Sequence, residues 1–178
     1  MRDLIDIKVY LDTEKGLRNY WKIKRDVHER KYNKEEVQNK IKSREEDGLK
    51  YIEPQKEFAD VIIRYEPIDG SANIDITDDS KIRVRLVFDN SINFENMVAH
   101  LANIPSINVT HWYEDTYRQC ISVDGNIGAE TIRDIGHKII PQIYDLVGSE
   151  VLFNCGLQGV VQLAFLVLLS YKEIYDKN

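Results

Sequence analysis

Hydrophobic and polar residues alternate at the start of the chain. Every second residue from Ile5 to Leu11 is aliphatic, and this period of two predicts a β-strand. Asp12 and Thr13 follow, and both residue types can cap a helix. From Leu17 onward the apolar positions recur at helical spacing, so we expect a strand and then a helix capped by Asp12 or Thr13.

Further elements are predicted in the same part of the chain. Asn33 followed by Glu36 has the spacing of a capping box, which predicts a second helix, and we expect that helix to end at Gly48. Pro54 favours the first turn of a short helix. The aliphatic run at residues 59–63 predicts a buried strand.

The remainder of the chain predicts a mixed set of helices and strands. Residues 67–80 are rich in Gly, Ser, Asn and Asp, which favours a linker. Beyond it, strands are predicted at residues 82–88, 107–113 and 117–123, and helices at residues 93–103, 129–146 (broken before Pro141) and 156–175. We therefore predict an α/β fold, α+β overall, divided into residues 1–66, a linker at 67–80 and an α+β domain at 81–178.

Composition and charge narrow the class of protein. With 43% hydrophobic and 30% charged residues the chain is globular in composition. A formal net charge of -6 argues against a nucleic-acid partner, because phosphate-driven binding needs a basic surface. The apolar run at residues 160–169 is too short to cross a bilayer and predicts a buried helix. The two cysteines cannot form a disulfide framework. We therefore expect a cytoplasmic protein with neither a nucleic-acid nor a membrane partner.

Three cations and a carboxylate recur along one face of the first predicted helix. They are Lys22, Arg25, Asp26 and Arg30. Guanidinium donors match phosphoryl oxygens and neutralise the charge that accumulates during phosphoryl transfer. The spacing equally fits a solvated helix face held by i,i+4 ion pairs, each worth a few tenths of a kcal/mol. The spacing alone leaves both interpretations open.

Other polar and aromatic clusters are weaker candidates. His100, His111 and His137 lack the spacing of a zinc site, and Cys120 and Cys155, without a visible base, are expected to fill the core. Asp75, Asp78 and Asp79 lack the residue order of an EF-hand, so a solvated linker explains them. Trp112, Tyr113 and Tyr117 suit either packing around a hairpin or stacking on a base or a partner.

Four short segments carry motifs in a distinctive order. They are Asp-Ile-Lys-Val-Tyr-Leu-Asp at 6–12, Trp-Lys-Ile-Lys-Arg-Asp-Val-His-Glu-Arg at 21–30, Tyr-Ile-Glu-Pro-Gln-Lys at 51–56 and Ala-Asp-Val-Ile-Ile at 59–63. In order and spacing they resemble the C-terminal part of the phosphoribulokinase and uridine kinase family. The second and third segments look closer to phosphoribulokinase, and the extension, including residues 156–163, resembles that of bacterial members.

The resemblance implies a P-loop kinase sheet in which residues 12–48 form a mobile lid over the nucleotide and the acceptor. Carried over by position, Arg25, Asp26 and Arg30 are expected to be catalytic, with the arginines on phosphates and Asp26 ordering magnesium or the lid cations. Lys22 and Lys56 are expected to bind substrate. The implied cofactors are ATP and Mg2+, and the implied acceptor is a hydroxyl group of a sugar phosphate or nucleoside.

The chain departs from this family in one respect. A P-loop requires the pattern Gly-x-x-x-x-Gly-Lys-Ser/Thr, and the sequence contains no Gly-Lys dipeptide. We therefore expect the chain to be an active kinase, and to bind ATP tightly, only if the P-loop half is supplied. The alternative is a non-catalytic assembly or ligand-binding module derived from such a kinase, with the helix at 160–169 packed on another copy or partner. A homo-oligomer is expected in either case.

Overall fold

A single mixed sheet organises the chain. The structure, a computed structural model, describes residues 5–69 and 81–176. Five strands lie in the order β1-β2-β3-β5-β4, with β1 parallel to β2 and every other neighbouring pair antiparallel. They are β1 (Val9–Thr13), β2 (Val61–Pro67), β3 (Ile82–Asp89), β4 (Ile107–Tyr113) and β5 (Arg118–Gly125).

Helices occupy three stretches of the chain. Between β1 and β2 lie α1 (Lys15–Ile23), which continues as a π-helical segment (Lys24–Glu29), α2 (Lys34–Ser43), α3 (Glu45–Asp47), a second π-helical segment (Gly48–Ile52) and a 3-10 helix (Glu53–Phe58). Helix α4 (Glu95–Ala102) joins β3 to β4. Helices α5 (Ala129–Ile139), α6 (Ile143–Val147) and α7 (Gly156–Asp176) follow β5, and the break between α5 and α6 includes Pro141, as predicted.

The sheet connects the two predicted parts of the chain. Strand β2 pairs with β3 from Ile62 opposite Val87 to Pro67 opposite Ile82, so strands from residues 1–66 and 81–178 lie side by side. The predicted α/β class is confirmed. The three-part division stays a prediction, and most of its linker, with Asp75, Asp78 and Asp79, lies outside the described residues.

The main core lies between one face of the sheet and helices α4, α5 and α7. Its fully buried side chains include Val84, Leu86 and Ile121 from the strands, and Leu101, Ile132 and Leu163 from the helices. The apolar run at residues 160–169 contributes Val160, Leu163 and Ala164 to this core, because a helix with apolar residues on most of its surface must be buried. The buried helix predicted there is confirmed. No helix in the described ranges is long and apolar enough to span a membrane.

Three local expectations were wrong. The first helix is capped by Glu14, whose carboxylate accepts the Leu17 backbone N–H at 2.8 Å, because Thr13 is still part of β1. The chain does not leave helical geometry at Gly48, where a π-helical segment begins. Cys155 is exposed, although Cys120 is buried as expected.

Candidate functional site

Helix α1 is attached to the sheet at one end by a small apolar cluster. The Glu14 backbone N–H donates to the Tyr65 carbonyl oxygen at 2.9 Å, directly after β1 ends. One turn later Leu17 is fully buried and packs with Ile82. The Trp21 ring meets the Tyr65 ring edge to face, with 5.7 Å between ring centroids. The start of the helix is therefore fixed at the carboxyl ends of β1 and β2.

The other end of this helix changes its winding. From Lys24 to Glu29 the backbone is π-helical, and it closes with the Arg30 N–H donating to the Arg25 carbonyl oxygen at 3.1 Å. Lys31 follows with φ of 60°, in the left-handed region that few residues other than glycine adopt. Short π-helical segments are rare and often occur at functional sites. Here the segment contains the Arg-Asp pair that the sequence singled out.

Asp26 is the centre of this segment. Asp26 is only 7% exposed, and its Oδ1 accepts from Arg25 Nε at 2.9 Å and from Arg30 Nη1 at 3.4 Å. The two arginine side chains are about half exposed, at 50% and 54%. The structure thus brings together all three residues predicted to be catalytic, with the carboxylate inside and the cations outside.

The electrostatics of this cluster favour full ionisation. The hydrogen bond from Arg25 holds the pKa of the Asp26 carboxyl below its ordinary value, and the charges of Arg25, Arg30 and Lys22 act in the same direction against the effect of burial. The same hydrogen bond raises the pKa of the Arg25 guanidinium. Arg25, Arg30 and Lys22 outnumber Asp26 and the nearby Glu29, so the cluster keeps an excess of positive charge. Each guanidinium has five N–H donors, and the bonds to Asp26 engage one nitrogen of each, so the cluster is suited to an anionic ligand.

Lys56 belongs to a different group of charges. Its Nζ donates to Asp12 Oδ2 at 2.8 Å, and Arg64 approaches the same oxygen at 3.6 Å. Arg64 and Arg85 both pair with Glu66, at 2.9 and 2.8 Å. These side chains share one face of the sheet, because Asp12, Arg64 and Arg85 are opposite one another in register.

We call this group, Asp12, Lys56, Arg64, Glu66 and Arg85, the ionic row. We did not predict it from the sequence. The available signal is the period of two: residues 64 and 66, like residues 83 and 85, are charged at alternate positions of a strand. Next to the row, the Trp112 ring lies beneath Arg85, with 5.5 Å from its centroid to the guanidinium carbon. Tyr113 and Tyr117 are exposed at 62% and 75%, so neither ring is buried in the core, and stacking of this cluster on a base or a partner stays a prediction.

The helices between residues 15 and 47 also contact one another. Lys15, at the start of α1, forms an ion pair with Glu45 of α3, and the hydrogen bond between them lowers the pKa of the Glu45 carboxyl. Asn33 caps α2 as the capping box predicted, accepting the Glu35 and Glu36 backbone N–H groups at 2.8 and 3.4 Å. Residues 14–47 therefore form a hairpin of helices that begins at the end of β1.

The described residues do not fit a complete nucleotide site. The sequence has no Gly-Lys pair with which to build a P-loop, and ranges 5–69 and 81–176 hold no group of three or more His, Cys, Asp or Glu side chains placed to bind a metal ion. The Arg25, Asp26 and Arg30 cluster is suited to phosphate groups, whereas the sequence does not contain the Gly-Lys pair of the P-loop pattern.

The known proteins to which this chain is similar include phosphoribulokinases and uridine kinases. Residues 1–70 match the model of the Phosphoribulokinase / Uridine kinase family. The chain is 38% identical over 94 residues to phosphoribulokinase from Synechocystis sp., covering 53% of this chain and 27% of that protein. It is 37% identical over 99 residues to chloroplastic phosphoribulokinase from Spinacia oleracea, covering 55% and 24%. It is 38% identical over 64 residues to uridine kinase from Ligilactobacillus salivarius, covering 35% and 30%.

A solved structure extends the likeness in fold to most of the chain. Phosphoribulokinase from Rhodobacter spheroides superposes with a TM-score of 0.54 at 19% identity, covering 96% of this chain and 52% of that protein. The chain therefore spans about half of that solved structure, and about a quarter of the curated phosphoribulokinases it matches.

Proposed function

We propose that this chain, whose residues 1–70 are related to the phosphoribulokinase/uridine kinase family, supplies the cationic lid of an ATP-dependent phosphotransferase. The P-loop half of that enzyme lies outside these 178 residues. The acceptor is a hydroxyl group of a sugar phosphate or a nucleoside, and the protein works in the cytosol. The observation that carries the proposal is the buried Asp26 carboxylate, which orients two half-exposed guanidinium groups on a π-helical turn.

The two arginines act on the phosphoryl group during transfer. Phosphoryl transfer requires positioning and neutralisation of charge on the equatorial oxygens more than covalent chemistry by the protein. Arg25 and Arg30 donate N–H groups to those oxygens, while Asp26 fixes the direction of both guanidiniums. Because the donors are held in place before the substrate arrives, little reorganisation is needed during the reaction.

The two lysines have separate roles. Lys22 lies close enough to lower the pKa of Asp26, so it adds positive charge to the same cluster and attracts the anionic substrate. Lys56 is held by Asp12 in β1, next to the strand end from which the lid begins. We assign it to binding the acceptor at the sheet, opposite the closing lid.

The mechanical arrangement supports the assignment of a lid. Leu17 fixes the start of α1 to the sheet, whereas Arg25 and Arg30 lie two to four turns further along the helical segment. A segment fixed at one end can open for exchange of substrate and product, and can close to exclude water before transfer.

The test is a chimera. The part of Synechocystis phosphoribulokinase that precedes the matched region is fused ahead of this chain, and ATP-dependent phosphorylation of ribulose 5-phosphate and of uridine is measured. Arg25→Ala and Arg30→Ala are each expected to lower kcat by about 10²- to 10³-fold, the cost of removing one preorganised donor.

A matched control is available on α5. Arg133 and Asp134 form the same Arg-Asp sequence on a helix, with the guanidinium Nε 3.8 Å from the carboxylate. Arg133→Ala is expected to leave kcat unchanged. An unchanged kcat in both Arg25→Ala and Arg30→Ala would contradict the proposal and would indicate that these two arginines only form a solvated helix face. Tight ATP binding by the chain without its partner half would contradict the proposal that the cradle lies elsewhere.

A further inference from the structure

A cavity of about 620 Å³ lies at the end of the sheet opposite to helix α1. Its lining comes from residues just before β1 and β2, from the end of β3 and the turn after it, from the start of β5 and from the second half of α7. Helix α1 follows the carboxyl end of β1, so the length of that strand, about 17 Å, separates the cavity from it. Cavities of this size are typical of sites for small molecules.

The walls of the cavity are partly apolar and are held in a fixed shape. Four buried aliphatic side chains form what we call the apolar wall: Ile62, Val87, Ile92 and Leu168. The turn after β3 is fixed by Gln119, whose Nε2 donates to the Asp89 and Ile92 carbonyl oxygens at 2.8 and 2.7 Å. The same turn is joined to the β4–β5 hairpin by Asn90, whose Nδ2 donates to the Thr116 carbonyl oxygen at 2.8 Å. A site that is already ordered loses less entropy when a ligand binds.

Arg118 brings a positive charge without a partner to this cavity. Its side chain is half-buried, and among the described residues no hydrogen bond or ion pair reaches its guanidinium group. Asp89 is directly opposite Arg118 in register, where unlike charges normally attract each other. The Asp89 Oδ1 instead accepts the Ser91 backbone N–H at 2.8 Å. Partial burial of an unpaired charge costs free energy, and an anionic group of a ligand would offset that cost.

The remaining charges of the cavity restrict the class of ligand. Its charged lining residues are Asp6, Asp60, Asp89, Arg118 and Lys172. The Lys172 Nζ donates to the Asp6 carbonyl oxygen, and Asp60 forms an ion pair with Lys8. The carboxylates outnumber the cations in this lining, so they disfavour a phosphate group with two negative charges. They leave a positive and a negative group on neighbouring strands, whose Cβ atoms are about 5 Å apart.

We propose that this cavity binds an α-amino acid with a large apolar side chain. Such a molecule carries one negative and one positive group on the same carbon atom, which matches the adjacent Arg118 and Asp89. Its carboxylate accepts two parallel N–H bonds from the Arg118 guanidinium, and its ammonium group donates to the Asp89 oxygen that the Ser91 N–H does not use. Its side chain packs on the apolar wall, beside the Tyr117 and Tyr171 rings that line the same cavity. This site is independent of the proposed phosphotransferase function.

The test is calorimetric titration of the unaltered chain with three related probes. L-phenylalanine carries both charged groups, 3-phenylpropanoate lacks the ammonium group, and 2-phenylethylamine lacks the carboxylate. Because hydrogen bonds between charged groups are the strong ones, loss of either group is expected to raise Kd at least about ten-fold. Inorganic phosphate is the probe for a polyanion, and it is expected not to displace L-phenylalanine.

Two substitutions are expected to act on different probes. Arg118→Gln should raise Kd at least about ten-fold for L-phenylalanine and 3-phenylpropanoate, and should leave 2-phenylethylamine unchanged. Asp89→Asn keeps an oxygen that can accept the Ser91 N–H. It should weaken L-phenylalanine and 2-phenylethylamine and leave 3-phenylpropanoate unchanged. Arg133→Gln on α5 is the matched control, since Arg133 does not line the cavity, and it should bind all three probes as the unaltered chain does.

Several results would overturn the proposal. They are failure of L-phenylalanine to bind the unaltered chain, equal Kd values for the three probes, and displacement of L-phenylalanine by inorganic phosphate. An equal effect of Arg118→Gln on all three probes, in a variant with an unaltered circular dichroism spectrum, would also overturn it. The titrations of the unaltered chain test the proposal even if a variant fails to fold. None of these measurements involves phosphoryl transfer, so their failure would leave the proposed function standing.

Discussion

Leu17 is the buried side chain through which helix α1 packs against the sheet. It is the only residue of α1 that is buried, and its cluster contains one other buried residue, Ile82, with half-buried rings around them. Leu17→Ala removes the contact by which the helix is held, without altering any charge of the Arg25 cluster.

The magnitude follows from the carbon atoms that are removed. Leu17→Ala deletes three carbons, at about 0.8 kcal/mol each. The cavity term is small, because the half-buried Trp21 and Tyr65 rings can move into the space. We expect a loss of about 2–3 kcal/mol, which is the low end of the range for buried leucines. Because the cluster shares only the partly buried Tyr65 and Leu157 with the main core, the loss should fall on local opening of residues 15–47 rather than on global unfolding.

The assay is native-state hydrogen exchange. Amides of residues 17–29 are expected to lose protection by about 30- to 150-fold, at 1.4 kcal/mol for each factor of ten. Amides of β3 and β5 should be unchanged. Leu101→Ala, at an equally buried leucine of the main core, serves as the control and is expected to lower protection of the sheet. Equal losses in the lid and the sheet after Leu17→Ala would refute the reasoning, since the lid would then belong to the same cooperative unit as the core.

Three further predictions concern packing, charge and reactivity. Gly159→Ala should lower the free energy of unfolding by about 3 kcal/mol in urea denaturation, because the new Cβ would meet a backbone carbonyl oxygen at 2.0 Å. Gly48→Ala, whose new Cβ has nothing within 4 Å, should not lower the free energy of unfolding in this way. Asp26→Asn should destabilise the protein by a constant amount at pH 5–8. Since the Arg25 hydrogen bond lowers the folded-state pKa of Asp26, the difference should begin to shrink below about pH 4, where the unfolded chain takes up the proton, and should be lost as the pH falls through the folded-state pKa. A pH-independent difference would contradict this. Burial raises the pKa of Cys120 to about 12, so at pH 8 a thiol reagent should label only the chain's other cysteine until the protein is unfolded.

The regular elements were predictable because their signals are local. The alternation at residues 82–88 and the capping box at Asn33 depend on neighbours in sequence, and the structure has β3 and α2 at those places. The order of strands in the sheet could not be predicted in this way, since no pattern among neighbouring residues shows that β2 pairs with β3 across the segment 67–80. The same limit explains the missed ionic row, because Asp12 and Arg64 become neighbours only after β1 and β2 are paired.

The residues of the candidate site could be predicted from the sequence, but the geometry in which they meet could be predicted only in part. The sequence gives Arg25, Asp26 and Arg30 on one stripe of an ideal helix. It does not show that the winding changes at Lys24, where the π-helical segment begins. The spacing predicted i,i+4 pairs of Asp26 with Lys22 and Arg30. The pair with Arg30 is present at 3.4 Å, but the shortest ion pair joins Asp26 to its immediate neighbour Arg25 at 2.9 Å. A choice between two nearly equal ways of winding a helix depends on tertiary contacts, which a short sequence window does not contain.

Strand β1 leads directly into helix α1, and among residues 5–69 and 81–176 it pairs on one side only, with β2. Helix α1 therefore follows a strand that is hydrogen-bonded to the sheet on one side only. A partner that paired with the other side of β1 would restrict the motion of this strand and, with it, the motion of helix α1.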